Sequence, residues 1–126
     1  MPLSALLIFL GCGSGGLVRY GMLLLSRHLF PTTFPLGTLM VNISGCLLAG
    51  LLLALLTGKL QALTSGWAVF LLVGFCGGYT TFSAFSLDTL QLLQNNQWVY
   101  AIFYISASLV LCLVAAILGF WLGKQC

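Results

Sequence analysis

The stretch Gly74-Phe-Cys-Gly-Gly-Tyr-Thr-Thr-Phe-Ser-Ala-Phe-Ser86 interrupts a long apolar run with a glycine pair and several hydroxyl groups. Adjacent glycines weaken helix propensity, and the hydroxyls of Thr80, Thr81 and Ser83 can bond backbone groups that a break sets free. Irregular backbone at membrane depth is tolerated only where protein buries it or where it lines a wet cavity. The stretch therefore predicts a transmembrane helix broken near residues 77–80, with a glycine kink that serves packing alone as the alternative.

Four apolar segments account for nearly the whole chain around this stretch. They lie at about residues 3–26, 36–56, 67–93 and 98–122, and each is long enough to cross roughly 30 Å of hydrocarbon as a helix. The predicted fold is all-α, a single transmembrane domain over residues 1–126. An even number of spans places both termini on one side of the membrane.

The composition excludes most soluble functions. Of the 126 residues, 61% are hydrophobic and 4% are charged, with one acidic residue and one His. A soluble domain usually carries about a quarter of its residues as charged side chains, so this is an integral protein of the cell membrane. No polar segment is long enough for a nucleotide-binding domain, no Lys/Arg cluster would grip nucleic acid, and no catalytic or metal-spaced set can be assembled. We therefore expect neither an ATP-driven pump nor an enzyme.

The basic residues do not favour one side of the membrane. Lys59 and Lys124 fall on one side, whereas Arg27 falls on the other with Arg19 a few residues inside the same end. Neither side carries the excess of Lys and Arg that normally sets orientation. Such a chain is able to insert both ways, and two opposite copies would pack as an antiparallel dimer. Dual topology is thus predicted, with a weak preference for one side as the alternative.

Polar side chains in the other spans lie at helical spacing. Thr38 and Asn42 are at i, i+4 in the second span, and Tyr104 and Ser108 are at i, i+4 in the fourth. An amide in hydrocarbon needs partners, so we expect Asn42 to face the bundle interior, either as a hydrogen-bond donor or as a clamp between helices. Arg19 is near enough to the end of its span to snorkel, and it is also placed to draw anions into a vestibule.

Small and aromatic residues carry two further predictions. The pair Gly11 and Gly15 predicts close helix contact. Phe82 and Phe85 lie at i, i+3, and such a pair usually contacts lipid or the protein core. The alternative uses the positive edges of the rings, which can approach an anion without binding it too tightly for passage. The five cysteines form no CxxC and are expected to act as small hydrophobes.

Three segments together resemble the Fluc/CrcB family of fluoride channels. Residues 11–20 resemble its glycine-rich first helix ending in Arg-aromatic, and Gly37-Thr-Leu-Met-Val-Asn42 is similar to its GTLxVN segment. Residues 74–86 resemble its GFxGGxTTFSTFS core. The resemblance spans the chain, and the three segments occur in the family's order at fitting distances.

The resemblance implies a passive channel that exports cytoplasmic fluoride. It implies an antiparallel dual-topology homodimer with two fluoride pathways and a central, structural Na⁺. The cation would be held by main-chain carbonyls of Gly77 and Thr80 from both subunits. The partners implied are thus fluoride, Na⁺, the lipid bilayer and a second copy of the chain.

The resemblance also assigns the side chains along each pathway. The ring edges of Phe82 and Phe85 would face fluoride, the amide of Asn42 would donate to it, and Arg19 would be the vestibule arginine. Hydroxyls near the predicted break add donors. The full predicted pathway consists of Asn42, Thr81, Phe82, Ser83, Phe85, Tyr104 and Ser108.

Four positions depart from the family's usual pattern. Ala84 stands where Thr is common, and Asp88 where Glu is frequent. Cys112 and Ala116 follow Ser108 at i+4 and i+8, where members often carry Ser and Thr. A thiol is a weaker donor than a hydroxyl and a methyl is none. We expect an altered route at that end, or a chain that works beside a non-identical partner subunit.

Two other functions fit a chain of four short spans. A small dual-topology, proton-coupled multidrug exporter would need a carboxylate in its first span, and the only acid is Asp88 in the third. A membrane assembly factor would use Phe82, Phe85 and Asn42 only for packing. Coupling to a pH gradient distinguishes the exporter from a channel, and ion flux after Phe82→Ile distinguishes the assembly factor.

Overall fold

The computed structural model of the chain describes residues 2–57 and 66–125. All regular secondary structure within these ranges is helical, so the all-α prediction is confirmed. The elements are α1 (Pro2–Leu29), α2 (Leu36–Thr57), α3 (Gly66–Ala68), a π-helix (Val69–Cys76), α4 (Gly77–Tyr79), α5 (Phe82–Gln94) and α6 (Trp98–Gln125).

Four helical segments in this part of the chain are long and apolar enough to cross a membrane. α1 continues to Leu29 rather than 26, and α6 to Gln125 rather than 122. Basic side chains in each last turn favour this extension, because cations interact well with the negative end of the helix dipole. The second connection, with the Lys59 used in the charge count, lies outside the described residues.

The first half of the third span packs closely on α1. An added Cβ on Gly74 would lie 2.9 Å from the Cα of Gly11, and one on Gly15 would lie 2.9 Å from the backbone nitrogen of Tyr79. Real Cβ atoms do not approach other heavy atoms so closely. The close helix contact predicted for Gly11 and Gly15 is therefore confirmed.

The helix of the third span is interrupted at Thr80 and Thr81. Both residues are extended, with φ −77° and ψ 154° at Thr80 and φ −151° and ψ 119° at Thr81. The break was predicted near residues 77–80, and the interruption lies at the end of that range, because α4 includes Gly77 and Gly78. The missing side chain of Gly78 serves contact instead, since a Cβ there would lie 2.7 Å from the Cα of Cys12 on α1.

The helices α2 and α6 form the most extensive helix pair in the described chain. Gly50 approaches the backbone of Ala116, and Gly123 approaches Ala54 further along both helices. Because the contacts advance in the same direction along the two helices, α2 and α6 run parallel. We call the line of contact between them the α2–α6 seam.

Gly50→Ala should destabilise the protein, whereas Gly13→Ala should not. Both changes gain about 1 kcal/mol of helix propensity, so they differ only in packing. The new Cβ at Gly50 would overlap the Ala116 carbonyl, while the one at Gly13 meets nothing within 4 Å in the described structure. Overpacking typically costs about 1–3 kcal/mol. Thermal unfolding in detergent checks this, and equal midpoints for the two variants would contradict the packing described for the seam.

Candidate functional site

Polar side chains of α2 and α6 meet in pairs along the α2–α6 seam. Thr38 lies near Tyr104, and Cys46 lies near Cys112. Successive pairs along the seam are four residues, about one helical turn, apart on both helices. The same register leads to the close backbone contact between Gly50 and Ala116. In this register the pairs are Thr38 with Tyr104, Asn42 with Ser108, Cys46 with Cys112, and Gly50 with Ala116.

A cavity of about 240 Å³ lies where the seam meets the interruption of the third span. We call it the seam cavity. It brings together five residues of the predicted pathway, which the sequence places in three different spans. It is lined by Asn42, Cys46, Thr80, Thr81, Phe82, Phe85, Ser108 and Cys112.

Asn42 holds the interruption in place. Its Nδ2 donates to the carbonyl oxygen of Thr81 at 3.0 Å, and its Oδ1 accepts from the N–H of Thr81 at 2.8 Å. These bonds replace the helical partners that the extended residue lacks. Of the two predicted roles, the structure shows the clamp between helices. An amide nitrogen carries two N–H groups, so one remains for a ligand.

The hydroxyls at the start of α5 are used within the chain. Thr81 Oγ1 accepts from the N–H of Ala84 at 3.1 Å and caps the helix, and it also hydrogen-bonds Ser83 Oγ at 3.1 Å. Ser83 is exposed and does not line the seam cavity, although the sequence predicted it on the pathway.

Ser108 presents an unsatisfied hydroxyl to the seam cavity. The residue is 6% exposed, and its Oγ has no hydrogen-bond partner among residues 2–57 and 66–125. Leaving a buried hydroxyl unpaired costs about 1–3 kcal/mol. A group that accepts this hydrogen bond would recover that cost.

Three aromatic rings form a continuous row from the seam cavity toward one end of the bundle. The centroids of Phe82 and Phe85 are 5.4 Å apart, and those of Phe85 and Tyr104 are 5.3 Å apart. Tyr104 is fully buried, whereas Phe82 is 76% exposed on the surface of the single chain. The row links the predicted phenylalanine pair to the tyrosine of α6.

A second cavity of about 340 Å³ opens at the Tyr104 end of the seam. We call it the end cavity. Its polar lining includes Arg27, Thr38, Asp88 and Gln91. Asp88 Oδ2 accepts a hydrogen bond from the hydroxyl of Tyr104 at 3.3 Å. This bond connects the lining of the end cavity to the last ring of the aromatic row.

Arg27 is a site residue that the sequence analysis missed. It lies in the last turn of α1, where the helix extends beyond the predicted end. Arg19, the predicted vestibule residue, is half-buried on α1 and lines neither the seam cavity nor the end cavity. The only signal in the sequence was that Arg27 and Asp88 carry opposite charges.

The predicted cation ligands fit the chemistry of a hard cation. Thr81 N–H, which would bond Gly77 O in a continuous helix, bonds Asn42 instead. The carbonyl of Gly77 is thereby released from its helical partner, and Gly77 is exposed with open space around it. Carbonyl oxygens released at a helix break are suitable Na⁺ ligands.

Comparison with known proteins finds one matching family model and several similar proteins. Residues 6–120 match a family model described as CrcB-like protein, Camphor Resistance (CrcB). Three similar proteins carry the name fluoride-specific ion channel FluC. The one from Coxiella burnetii is 44% identical over 123 residues, which are 98% of this chain and 99% of that protein. The one from Flavobacterium psychrophilum is 46% identical over 94% of each chain, and the one from Paracoccus denitrificans is 48% identical over 98% of this chain and 97% of that protein.

Proposed function

This chain belongs to the CrcB-like protein, Camphor Resistance (CrcB) family, and from that membership we propose that it is a passive, fluoride-selective channel. The resemblance noted in the sequence is confirmed, and the chain is a multi-pass protein of the cell membrane. The observation that carries the proposal is the seam cavity. In this cavity the buried Ser108 hydroxyl lies beside the Asn42 amide and two phenylalanine rings, and it has no hydrogen-bond partner among the described residues.

The lining of the seam cavity suits a small, strongly hydrated anion. Fluoride enters a narrow pore only where the protein replaces its water with short hydrogen bonds and polarised ring edges. Ser108 supplies a hydroxyl, Asn42 its second N–H, and Phe82 and Phe85 their rings. No residue that lines the seam cavity carries a full positive charge, so a bound anion would not be held too tightly to leave.

The proposed route enters at the end cavity and follows the seam. Arg27 gives the end cavity a positive side chain that attracts anions, and Thr38 lies both on this cavity and against Tyr104. From there the route passes Tyr104 to Ser108 and Asn42. The seam cavity has no lining carboxylate. We expect transport to be passive, and in an acidic medium, where neutral HF enters the cell and ionises, a passive pore suffices for export.

The proposal includes an antiparallel dimer with two pathways and a central Na⁺. Gly77 and Phe82 lie exposed on either side of the interruption. Backbone polar groups at a helix break do not face lipid, so a second chain is needed to cover them. A shared cation between two such breaks would bind carbonyls from both. A non-identical partner subunit in place of the second copy is the alternative.

Reconstitution tests the channel function directly. Liposomes that hold the purified protein and potassium fluoride are treated with valinomycin, and a fluoride electrode follows efflux. We expect rapid fluoride loss, with chloride retained in parallel vesicles. A pH gradient should not drive uptake. Uptake driven by such a gradient would favour the proton-coupled exporter. Folded dimers without flux would contradict the channel or indicate a missing partner subunit, and addition of a paired homologue separates these two.

Ser108→Ala should reduce fluoride efflux about tenfold, the lower end of the 1.5–3 kcal/mol that a hydrogen bond to a charged group contributes. It should not lower the unfolding temperature, because it removes a buried hydroxyl that has no partner in the described structure. Ser106→Ala is the control, since Ser106 is exposed on α6. Full efflux with Ser108→Ala, or a large loss of stability, would contradict the role given to this hydroxyl.

A further inference from the structure

Two of the cysteines lie side by side on the proposed route. Cys46 on α2 and Cys112 on α6 both line the seam cavity and lie near each other across the seam. Both are free thiols and only partly buried. The sequence predicted small hydrophobes at these positions, whereas the seam brings them together one turn beyond Asn42 and Ser108. The position of the pair makes it accessible to whatever enters the cavity.

We propose that Cys46 and Cys112 form a two-thiol site for one soft, divalent metal ion with linear coordination, and that binding of this ion closes the seam cavity. The mercuric ion is the probe for this site. Soft thiolate ligands select soft metals, and hard cations such as Na⁺ prefer oxygen. The site is therefore separate in chemistry from the carbonyls of Gly77 and Thr80.

The binding step is balanced and leaves no net charge. Each thiol loses its proton, two sulfur–mercury bonds form, and two protons leave to solvent for each dipositive ion bound. The product is a neutral S–Hg–S bridge. An uncompensated charge inside a membrane protein is costly, so a neutral product favours a divalent ion over a monovalent one. No electron transfer is involved.

The geometry of the seam favours a bridge between the two helices. The next pair along the register, Gly50 with Ala116, holds the backbones of α2 and α6 in close contact. A linear bridge needs sulfur atoms separated by about twice a metal–sulfur bond of roughly 2.3 Å. Two thiols that line one cavity on packed helices reach that separation by rotating their side chains. Cys76 is buried on the π-helix and does not line the seam cavity.

The binding test does not depend on the proposed channel function. A variant in which Cys12, Cys76 and Cys126 are replaced by Ala is titrated with mercuric acetate, and free thiols and sulfur–mercury absorption are followed. We expect one ion per chain with loss of both thiols. Adding Cys46→Ser should weaken binding roughly 100-fold, because the second thiol acts at high effective concentration. Two ions per chain, or undiminished binding by the serine variant, would overturn the site.

The closure of the route rests on the proposed function and is tested by flux. One equivalent of mercuric ion should reduce fluoride efflux of this variant about tenfold or more, as expected for an occluded pore, and a dithiol should restore it. With Cys46→Ser, the ratio of efflux with and without metal should stay near one. Stoichiometric binding without any change in efflux would refute the closure of the seam cavity but not the two-thiol site. Absence of efflux before metal is added would refute the channel while leaving the binding result intact.

Discussion

Asn42→Asp should abolish measurable fluoride efflux. The substituted side chain keeps an oxygen that accepts from the Thr81 N–H but loses the Nδ2 that donates to the Thr81 carbonyl at 3.0 Å. It also introduces a negative charge into the proposed anion route. Two like charges at about 4 Å repel by about 4 kcal/mol at an effective dielectric constant of 20. That energy lowers a rate by about a thousandfold.

The control for this change is Asn95→Asp, the same substitution at the exposed end of α5. Efflux from liposomes and thermal unfolding should be measured for both variants. We expect Asn95→Asp to retain efflux and Asn42→Asp to lose it while remaining folded, at a stability cost of about 1–3 kcal/mol for the unpaired Thr81 carbonyl. Efflux at the unmodified rate with Asn42→Asp would refute the placement of the anion beside this amide.

Phe82→Ile should reduce efflux by roughly tenfold or more, because contacts with the positive edge of an aromatic ring contribute up to about 1.5 kcal/mol. Isoleucine is apolar and has no ring edge to offer an anion. Because Phe82 is 76% exposed, its loss removes little packing within the chain and should leave the fold intact. The same efflux assay measures the effect, and gel filtration checks that the assembly is unchanged.

Phe9→Ile is the matched control for Phe82→Ile. Phe9 is 73% exposed on α1 and does not line the seam cavity or the end cavity. A general effect of replacing an exposed phenylalanine would appear in both variants. If both variants conduct fluoride as the unmodified chain does, Phe82 serves only packing, as in the alternative of a membrane assembly factor.

The third span shows how far the sequence alone reaches. Its composition predicted an interruption, and extended backbone is found at Thr80 and Thr81. The interruption lies after the glycine pair and not at it, because glycines lower helix propensity in isolation but also allow two helices to touch. At Gly78 the close contact with α1 outweighs the propensity, and the pair stays helical. A local rule cannot weigh an interaction with a helix that lies far away in the chain.

The seam cavity depends still more on tertiary contacts. Thr38, Asn42, Tyr104 and Ser108 were recognised from i, i+4 spacing, which defines a face on each helix. Spacing does not define which residues of two helices stand opposite each other. That register depends on the close contact of Gly50 with the backbone of Ala116, and it alone places Cys46 against Cys112.

Hydrophobicity, span length and the three family-like segments were sufficient to establish an all-α membrane protein and its family, because these properties are local and survive any arrangement of the helices. The three-dimensional packing was needed to show that Asn42 clamps Thr81, that Ser108 keeps a hydroxyl unpaired among the described residues, and that Arg27 rather than Arg19 lines the end cavity. Each of these depends on distances between groups far apart in the chain, and only close packing of the helices sets those distances.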